Sequence, residues 1–252
     1  MSLTGPSREL GRIFDQVADA YDAARPGYPD ELFRAVSELS GVELSGATVV
    51  DVGAGTGISS RALQARGARV VSVDPGAEML AKLVSRAAGS TALRADGNVL
   101  PLKDGVADLV TYAQSWHWLD PMDSIAEARR VLRPSGAVAA WWNSHDTTRA
   151  DWLAAFEVRL AEDCPGYWGP AHPEWRVAQI AAVLDSEELW VPWTRLVGIE
   201  DFLLDLRSHS YMAALPPEVA DAVVDRQRRA LKRVFPQGVL SVPMRVYLAV
   251  GR

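Results

Sequence analysis

Short apolar runs alternate with amphipathic stretches through the middle of the chain. From Thr48 onward, β-branched runs are separated by segments whose apolar residues recur every three or four positions. This rhythm is typical of parallel strands that are joined by crossover helices. It predicts five strands, which lie near residues 48–52, 69–73, 92–95, 107–112 and 137–142.

The segments between these strands have the features of helices. In one of them the apolar residues share a single helical face, and in another an aspartate stands directly before a proline. Aspartate is a preferred N-cap, and proline is tolerated at the first helical position because the N–H it lacks has no partner there. We therefore expect a doubly wound α/β sheet. The residues concerned are Ala77, Leu80, Leu83, Val84 and Ala87 in the first helix, and Asp120 and Pro121 at the start of the second.

Two helices are expected before the first strand. The first has an apolar stripe at helical spacing, and the second runs from about Asp30 to Leu39. Residues 25–29, which include two prolines, separate them because proline disfavours helix at its own position and at the preceding one. The stripe consists of Ile13, Phe14, Val17, Ala18 and Tyr21.

The regular alternation ends after Asn143. A helical, tryptophan-rich stretch to about Asp185 is interpreted as an insertion, a strand-like pattern covers residues 189–197, and a further helical region covers residues 200–235. Residues 244–250 then alternate with a period of two, which predicts a final strand. Pro243 cannot donate a hydrogen bond to a neighbouring strand, so we expect this strand to start after it.

Composition narrows the class of protein. The chain has 252 residues, 48% of them hydrophobic, and this length lies at the upper end of a single domain. No run approaches the roughly 18 apolar residues of a membrane helix, and the N-terminus lacks a signal-peptide pattern. We expect a cytoplasmic protein with no membrane partner. The oligomeric state is left open.

Charge and metal-ligand content exclude two further classes. The formal net charge is −6 and the chain has no long run of lysine or arginine, which argues against a nucleic-acid substrate. The single cysteine, Cys164, cannot form an internal disulfide, and the four histidines lack the spacing of a zinc site. We expect no metal.

A glycine-rich loop follows the first predicted strand. Residues 49–58 read VVDVGAGTGI, a buried strand that runs into a turn and opens a helix, and glycine lets a ligand approach the backbone closely there. A dinucleotide fingerprint would need a further glycine at the position of Ile58. Asp51 would also bring a carboxylate near an anionic pyrophosphate. Both features favour a cationic or zwitterionic ligand over a nicotinamide or flavin dinucleotide.

Two more acids end the next strands. Asp74 follows the second strand, where a carboxylate can accept hydrogen bonds from both hydroxyls of a ribose, and Asp96 follows the third. Open α/β sheets bind ligands at the carboxyl ends of their strands, so these acids and Asp51 would line one crevice. Asp96 has an alternative interpretation as a simple turn or helix cap.

These motifs together resemble the class I S-adenosylmethionine-dependent methyltransferases, in particular the small-molecule group known as methyltransferase type 11. The resemblance covers most of the chain and is strongest from Phe14 to Trp142. Besides the Asp51 loop, Asp74 and Asp96, it rests on three segments. Residues 14–26, FDxxAxxYDxxRP, resemble the segment that covers the cofactor; residues 113–118, AQSWHW, resemble the segment that closes over it; and residues 132–136, LRPSG, resemble the turn into the fifth strand.

The resemblance implies a fold, a cofactor and a site. The fold would be a Rossmann-like, doubly wound seven-stranded sheet with an antiparallel last strand, an N-terminal helical cover and a helical insertion after the fifth strand. The cofactor would be S-adenosyl-L-methionine, released as S-adenosyl-L-homocysteine. Its binding residues would be Tyr21, Arg25, Asp51, Gly53, Ala54, Gly55, Thr56, Gly57, Asp74, Pro75, Met79, Asp96, Gly97, Asn98, Gln114 and Ser115.

Residues 1–252 would then form one methyltransferase domain. Residues 1–45 would be the helical cover, residues 46–143 the cofactor-binding core, residues 144–187 and 199–236 a helical lid or substrate region, and residues 188–198 and 239–252 the final strands. The region 143–215 has two interpretations. It is either a mobile lid over the carboxyl ends of the strands or an ordinary helical layer with its tryptophans in the core.

Methyl transfer needs an oriented acceptor and the exclusion of water, and it needs a general base only where the acceptor loses a proton. His117, just after the fourth strand, is the first candidate for such a base, ahead of His145 and His172, although it could also be a loop histidine bonded to backbone. Nine tryptophans favour a planar or apolar small-molecule acceptor, while some must be ordinary core. The candidate acceptor-binding residues are Trp118, Trp142, Trp168 and Tyr211.

Three alternative functions stay open at this point. An enzyme of the same fold could use S-adenosylmethionine for a reaction other than methylation, because fold and cofactor do not determine the reaction. A nicotinamide-dependent oxidoreductase is disfavoured by Ile58. A non-catalytic binding protein would keep the ligand pocket without turnover.

Overall fold

The structure, a computed structural model, describes residues 25–87, 89–167 and 180–252. The predicted first helix, with the candidate residue Tyr21, lies outside the described residues. The candidate residue Trp168 also lies outside them, as do His172 and Trp175.

Helices and strands alternate through the first half of the described chain. The helices are α1 (Asp30–Ser40), α2 (Ile58–Gln64), α3 (Ala77–Arg86), α4 (Pro121–Val131), α5 (Asp151–Asp163), α6 (Ile199–Arg207), α7 (Ser210–Ala213) and α8 (Pro217–Val234). The strands are β1 (Thr48–Val52), β2 (Arg69–Asp74), β3 (Thr91–Arg94), β4 (Ala107–Ala113), β5 (Leu132–His145), β6 (Ser186–Gly198) and β7 (Val239–Gly251). Short 3₁₀ turns cover Trp116–Trp118, Thr147–Arg149 and Ile180–Ala182.

The strands form a mixed sheet in the order β3-β2-β1-β4-β5-β7-β6. The first five pair in parallel, and β7 runs antiparallel to both β5 and β6. This arrangement confirms the predicted Rossmann-like fold class, including the antiparallel last strand. Strands β1 to β4 and helix α1 begin and end within one residue of the predicted positions.

The strand order reverses beside β1, which fixes where a ligand can bind. Val50 of β1 is paired with Val71 of β2 on one side and with Val110 of β4 on the other. The connections from β1 and β4 therefore leave the sheet in opposite directions. In open α/β sheets such a switch point opens a crevice beyond the carboxyl ends of the two strands.

Two apolar cores hold helices on the two faces of the sheet. Successive residues of a strand point to opposite faces, so Val49 and Val50 belong to different cores. Phe33 of α1 and Leu63 of α2 pack on the Val49 face, and Ile125 of α4 packs on the Val50 face. All five side chains are at most 1% exposed, so the strand ends around the crevice have a rigid support.

A third core lies beyond the end of β5. It joins helices α5, α6, α7 and α8 to the first half of β7, with Phe156, Phe202, Leu231 and Val242 buried together. The described part of the predicted insertion thus has an apolar core of its own. The described helices favour the interpretation of this region as a packed layer, while its motion stays a prediction.

Strand β5 is longer than predicted at both ends. At its start Leu132 already pairs with Ala107, with a register shift before Leu109, so residues 132–136 belong to the strand and do not form a turn into it. At its far end Asn143, Ser144 and His145 pair with β7. These polar residues end the apolar pattern. The strand continues because β7 pairs with their backbone groups.

Strand β7 starts at Val239 and runs through Pro243, so the predicted start after Pro243 was wrong. The Pro243 carbonyl accepts a hydrogen bond of 2.9 Å from the Asp146 N–H. In antiparallel strands the N–H and C=O of one residue point to the same side. The missing donor of Pro243 therefore faces the end of β5 and leaves the pairing with β6 intact.

The predicted N-cap of α4 is confirmed. Asp120 Oδ1 accepts hydrogen bonds from the N–H groups of Met122 and Asp123, at 2.9 and 3.0 Å. None of the helices in the described ranges combines the length and the apolar character that crossing a membrane would require.

Candidate functional site

The glycine loop after β1 turns sharply because three of its residues have positive φ. Gly53, Gly55 and Gly57 have φ angles of 69°, 55° and 84°, in a region that residues with a Cβ rarely adopt. The N–H groups of Gly53 and Ala54 both donate to the Val73 carbonyl, at 2.7 and 3.1 Å. The loop is thereby fixed at the carboxyl ends of β1 and β2.

The three glycines differ in their surroundings. A Cβ on Gly53 would lie 2.3 Å from the Cβ of Ser115, and one on Gly57 would lie 2.7 Å from Cγ of Leu83. A Cβ on Gly55 would meet no atom of the described residues within 4 Å. Packing therefore requires glycine at positions 53 and 57, whereas the backbone at Gly55 borders open space that a ligand can enter.

The Asp74 carboxylate bridges this loop and the start of α3. Its Oδ2 accepts from the Gly55 N–H and its Oδ1 from the Gly76 N–H, each at 2.8 Å. Asp74 is therefore held next to Gly55 as a rigid, half-buried acceptor. The candidates Pro75, exposed, and Met79, buried in the first turn of α3, follow it.

Asp51 is fully buried in a cluster of hydroxyl groups. Ser60 Oγ donates to Asp51 Oδ2 at 2.6 Å, and Thr111 Oγ1 donates to Asp51 Oδ1 at 2.8 Å. Ser72 donates in turn to Ser60 at 2.9 Å. Burial raises the pKa of Asp51 to about 6, because removing a carboxylate from water disfavours its charged form. The carboxyl group thus joins β1, α2 and β4 beneath the loop.

We expect Asp51→Asn to stabilise the protein at pH 8 by about 1–3 kcal/mol. The pKa of Asp51 is raised from 3.8 to about 6 in the folded state, so between these values the folded protein holds a proton that the unfolded chain has released. Stability therefore falls as the pH rises through this window, and the deficit persists above it. Asparagine carries no charge and escapes this penalty.

Urea unfolding at pH 8 and at about pH 4 measures the effect of Asp51→Asn. The gain should be present at pH 8 and shrink at the lower pH, where the wild-type carboxyl is protonated. A destabilisation at pH 8 would show that the hydrogen bonds from Ser60 and Thr111 to the carboxylate outweigh its desolvation.

The segment after β3 forms a tight turn. Asp96 Oδ1 accepts from both the backbone N–H and the side-chain amide of Asn98, each at 2.9 Å, and Asn98 Oδ1 accepts from the Asp120 N–H at 2.9 Å. A Cβ on Gly97 would lie 2.6 Å from Cγ1 of Val52, so this glycine is required for close packing on β1. The turn alternative for Asp96 is realised, and its exposed carboxylate still lines the same edge of the sheet.

The end of β4 is clamped onto the glycine loop. Gln114 has a φ of 58° and is the one residue other than glycine with positive φ in the ranges described. Such backbone strain is concentrated at functional sites. The Gln114 N–H donates to the Trp141 carbonyl at 2.8 Å, and Ser115 Oγ donates to the Val52 carbonyl at 2.5 Å.

His117 is held against two tryptophans. Trp142 Nε1, which can only donate, gives its N–H to Nδ1 of His117 at 3.1 Å, and the Trp118 ring lies 4.7 Å from the imidazole between centroids. The neutral ring must then carry its proton on Nε2. Burial lowers the pKa of His117 to about 4. The geometry makes His117 a hydrogen-bond donor, which argues against the predicted general-base role.

Two other candidates, Arg25 and Tyr211, are placed by contacts with the helical layer. Arg25 Nε donates to Ser208 Oγ at 3.1 Å and lies 3.5 Å from Asp205 Oδ1. The Tyr211 ring stacks on His209 with 5.1 Å between the centroids. The structure therefore places the candidates of the strand ends along the carboxyl edge of the sheet, with Asp51 buried beneath the loop, and places Arg25 and Tyr211 against α6 and α7.

Sequence reasoning missed the partners of Asp51. Thr111 and Ser60 hold both carboxyl oxygens, and neither was among the candidate residues. A signal was present, since Thr111 is a polar residue in the middle of the apolar strand LVTY. A buried polar group of this kind needs a hydrogen-bond partner.

Comparisons with known proteins identify the family of the chain. A family model described as a methyltransferase domain matches residues 50–140, which include the glycine loop, Asp74 and Gln114. An uncharacterised methyltransferase of Mycobacterium tuberculosis is 31% identical over 229 residues, which cover 91% of this chain and 89% of the relative. The chain belongs to the class I S-adenosylmethionine-dependent methyltransferases.

Two further similarities extend over most of the methyltransferase. An uncharacterised methyltransferase of Schizosaccharomyces pombe is 28% identical over 213 residues, 83% of each chain. A solved structure from Anaeromyxobacter dehalogenans, described as a type II methyltransferase, superposes with a TM-score of 0.69 at 24% identity and covers 90% of this chain and 97% of its own. The structural similarity supports the Rossmann-like fold.

Proposed function

We propose that this methyltransferase binds S-adenosyl-L-methionine in the crevice at β1, β2 and β4 and transfers its methyl group in line to a small-molecule acceptor. The observation that carries the proposal is the open backbone at Gly55 next to the fixed carboxylate of Asp74. A nucleoside needs both a surface for close approach and an acceptor for its ribose hydroxyls.

In this proposal the residues at each strand end bind a different part of the cofactor. Asp74 would accept from the ribose hydroxyls, with Pro75 and Met79 beside it. Asp96, Gly97 and Asn98 would meet the adenine. The methionyl end would lie over Asp51, Gly53, Ala54, Gly55, Thr56, Gly57, Gln114 and Ser115, with Tyr21 and Arg25 from the N-terminal segment above it.

Asp51 and Arg25 would act through other groups in this arrangement. Asp51 lies beneath the loop, so it would position the glycines by holding Ser60 and Thr111. Arg25 is bonded to Ser208 and paired with Asp205, so it would fasten the N-terminal segment to α6. These two residues would set the shape of the cofactor site.

The cofactor supplies a methyl group that its positive sulfonium has already activated. The protein must then orient the acceptor and exclude water. The rings of Trp118 and Trp142, next to the donor His117, would form an apolar wall for the acceptor, together with Trp168 and Tyr211 of the inserted region. The net charge of −6 supports a small molecule over a nucleic acid.

Strands β6 and β7 complete the sheet begun by β1, which supports one methyltransferase domain over residues 1–252. The cytoplasmic location stays a prediction from the sequence. The lid role of the inserted region also stays a prediction, because the described helices show packing and not motion.

We expect S-adenosylhomocysteine to bind with micromolar affinity or better and neither NAD nor NADP to displace it. Ile58 starts α2 where a dinucleotide site has its third glycine, which allows close helix packing. Calorimetry in competition with each dinucleotide measures this. Displacement of S-adenosylhomocysteine by a dinucleotide at low micromolar concentration would contradict the proposal.

Turnover separates the methyltransferase from a binding protein or from another use of the cofactor. The protein is incubated with S-adenosylmethionine labelled in its methyl group and with a metabolite extract, and mass spectrometry then finds the labelled product. Asp74→Ala, in the same extract, is the matched control. Cofactor consumption without a labelled small molecule would reject methyl transfer to such an acceptor.

A further inference from the structure

His117 lies at the carboxyl edge of the sheet, two residues after Ser115, whose hydroxyl is bonded to the Val52 carbonyl. Consecutive Cα atoms are about 3.8 Å apart, so the Cα atoms of His117 and Ser115 are at most about 8 Å apart. The Ser115 Cα lies 3.7 Å from the position that a Cβ on Gly53 would occupy. The backbone of His117 is therefore close to the glycine loop that borders the proposed cofactor crevice.

The strand register places the ring partner of His117 at the same edge. Ala113 of β4 pairs with Trp141 of β5, and the register of β1 and β4, continued two residues beyond their last pair, puts Ala113 level with Gly53. Trp142 is one residue further along β5, which corresponds to about 3 Å. The indole of Trp142 and the imidazole bonded to it therefore lie beside the glycine loop and not beyond it.

Trp142 determines which nitrogen of His117 carries the proton. The indole N–H can only donate, and its 3.1 Å bond to Nδ1 leaves the ring proton on Nε2. A proton on Nδ1 would place two N–H groups against each other, so this contact also opposes a charged ring. Nδ1 is the one ring nitrogen of His117 with a hydrogen-bond partner in the part of the chain that the structure describes. The residue is only half-buried, so its Nε2–H is available to a ligand.

Two apolar rings flank this donor. The ring centroids of Trp118 and Trp142 lie 4.7 and 6.4 Å from that of His117. A ligand oxygen bonded to Nε2 would lie about 3 Å from the imidazole, at the edge of the sheet and beside the two indoles. The site thus suits a molecule with a flat apolar body and an oxygen lone pair at the end that faces the crevice.

An ionised oxygen fits this donor best. A hydrogen bond to a charged acceptor is roughly twice as strong as one between neutral groups. A carboxylic acid has already lost its proton at neutral pH, so it needs no proton uptake by His117, whose Nδ1 is blocked. The positive sulfonium of the cofactor would also attract a negative oxygen.

We propose that His117 determines the acceptor specificity: its Nε2–H binds one oxygen of a carboxylate on the methyl acceptor, whose apolar body packs on Trp118 and Trp142. This inference rests on the proposed function. The second carboxylate oxygen uses its own electron pair to form the bond to the methyl carbon, and the pair of the carbon–sulfur bond returns to sulfur. No proton moves, and each transfer yields a methyl ester and S-adenosylhomocysteine.

The first test observes the donor in the full-length protein. Nitrogen-15 spectra should show His117 with its proton on Nε2 and a bare Nδ1 from pH 8 to pH 5, and His117→Phe assigns the signals by their loss. Trp142→Phe removes the N–H that opposes protonation, so His117 should become charged at a higher pH. Trp190→Phe, the same change at a half-exposed position of β6, is the control and should leave the titration unchanged. A proton on Nδ1, or a charged wild-type ring at pH 6, would overturn the proposal.

The second test compares two probes on the protein saturated with S-adenosylhomocysteine. Benzoate and benzylamine share a ring, but only benzoate offers an oxygen lone pair. Benzoate should shift the Nε2–H signal of His117 and bind at least tenfold more tightly than benzylamine. His117→Phe keeps a flat ring without the donor and should abolish this preference, whereas His117→Gln keeps an N–H donor and should retain part of it. Equal binding of the two probes, or an unchanged preference in His117→Phe, would reject the proposal.

The third test identifies the acceptor class by label transfer from S-adenosylmethionine to the metabolite extract. Dilute alkali hydrolyses a methyl ester, so the labelled small molecule should release its label as methanol, whereas methyl ethers, methylamines and C-methyl groups retain it. His117→Phe should raise the KM for that acid at least tenfold and change kcat much less, because ester formation needs no base.

The outcomes separate this proposal from the proposed function. A label that resists alkali, or a loss of kcat alone in His117→Phe, would overturn the carboxylate proposal while leaving methyl transfer intact. If the wild-type protein transfers no label to any small molecule, the proposed function itself fails and this proposal fails with it.

Discussion

Replacing Asp74 with alanine is expected to weaken S-adenosylhomocysteine binding by about 100-fold or more. In the proposed complex the carboxylate accepts hydrogen bonds from two ribose hydroxyls. A hydrogen bond to a charged group contributes about 1.5–3 kcal/mol, and two of them correspond to about 150-fold to 25,000-fold in affinity. Calorimetry of the folded variant measures the loss directly.

The same substitution has a second consequence inside the protein. Asp74 holds the N–H groups of Gly55 and Gly76, so alanine leaves both without this acceptor and loosens the loop. We therefore expect stability to fall by about 1–3 kcal/mol. Asp74→Asn keeps the shape and one acceptor oxygen, and its affinity should lie between those of wild type and alanine.

Asp221→Ala is the matched control for Asp74→Ala. Asp221 is an exposed aspartate of α8 whose ion pair with Arg207 is on the surface, so its loss should change neither affinity nor stability by much. Unchanged affinity in a folded Asp74→Ala variant would show that Asp74 does not bind the cofactor. The proposal would then rest on the open backbone at Gly55 alone.

The strand positions could be predicted because local patterns determine them. In β1 the run of β-branched residues is buried on both faces, and in β2 the same composition recurs before Asp74. Glycine, aspartate and proline mark the ends of these elements by their own backbone preferences. The acids that end the strands follow directly from these boundaries.

Features that depend on distant residues could not be predicted in this way. The burial of Asp51 requires Thr111, 60 residues away, and the tautomer of His117 is set by Trp142, 25 residues away. The extension of β5 depends on pairing with β7, and so does the passage of β7 through Pro243. No local pattern contains these contacts.

The roles of the loop glycines depend both on local sequence and on contacts with distant residues. The sequence shows three glycines but does not distinguish their roles, since each could serve a turn, close packing or ligand approach. The structure separates them by what a Cβ would meet: Ser115 at Gly53, Leu83 at Gly57 and open space at Gly55. Alanine should therefore impair the protein for a different physical reason at each position.

Gly53→Ala is expected to destabilise the protein by about 3–5 kcal/mol in total, a large part of the stability of an ordinary domain. Its Cβ would lie 2.3 Å from the Cβ of Ser115, which is itself bonded to the Val52 carbonyl and cannot move away without losing that bond. The positive φ adds about 1–2 kcal/mol. Urea unfolding measures the change.

Gly55→Ala has the same positive φ without the overlap, so it should cost only about 1–2 kcal/mol of stability. Its methyl group would nevertheless enter the space proposed for the cofactor. We expect the folded variant to bind S-adenosylhomocysteine at least tenfold more weakly. Equal stability losses at Gly53 and Gly55 would show that backbone strain alone governs both positions.

Ser115→Gly completes a cycle that isolates the contact at Gly53. It deletes the Cβ with which the new methyl group would collide, so the double variant Gly53→Ala/Ser115→Gly should be more stable than the sum of the two single changes predicts. A strictly additive result would mean that the end of β4 is not packed on the loop. Ser115 would then not hold the end of β4 against the end of β1 and the glycine loop.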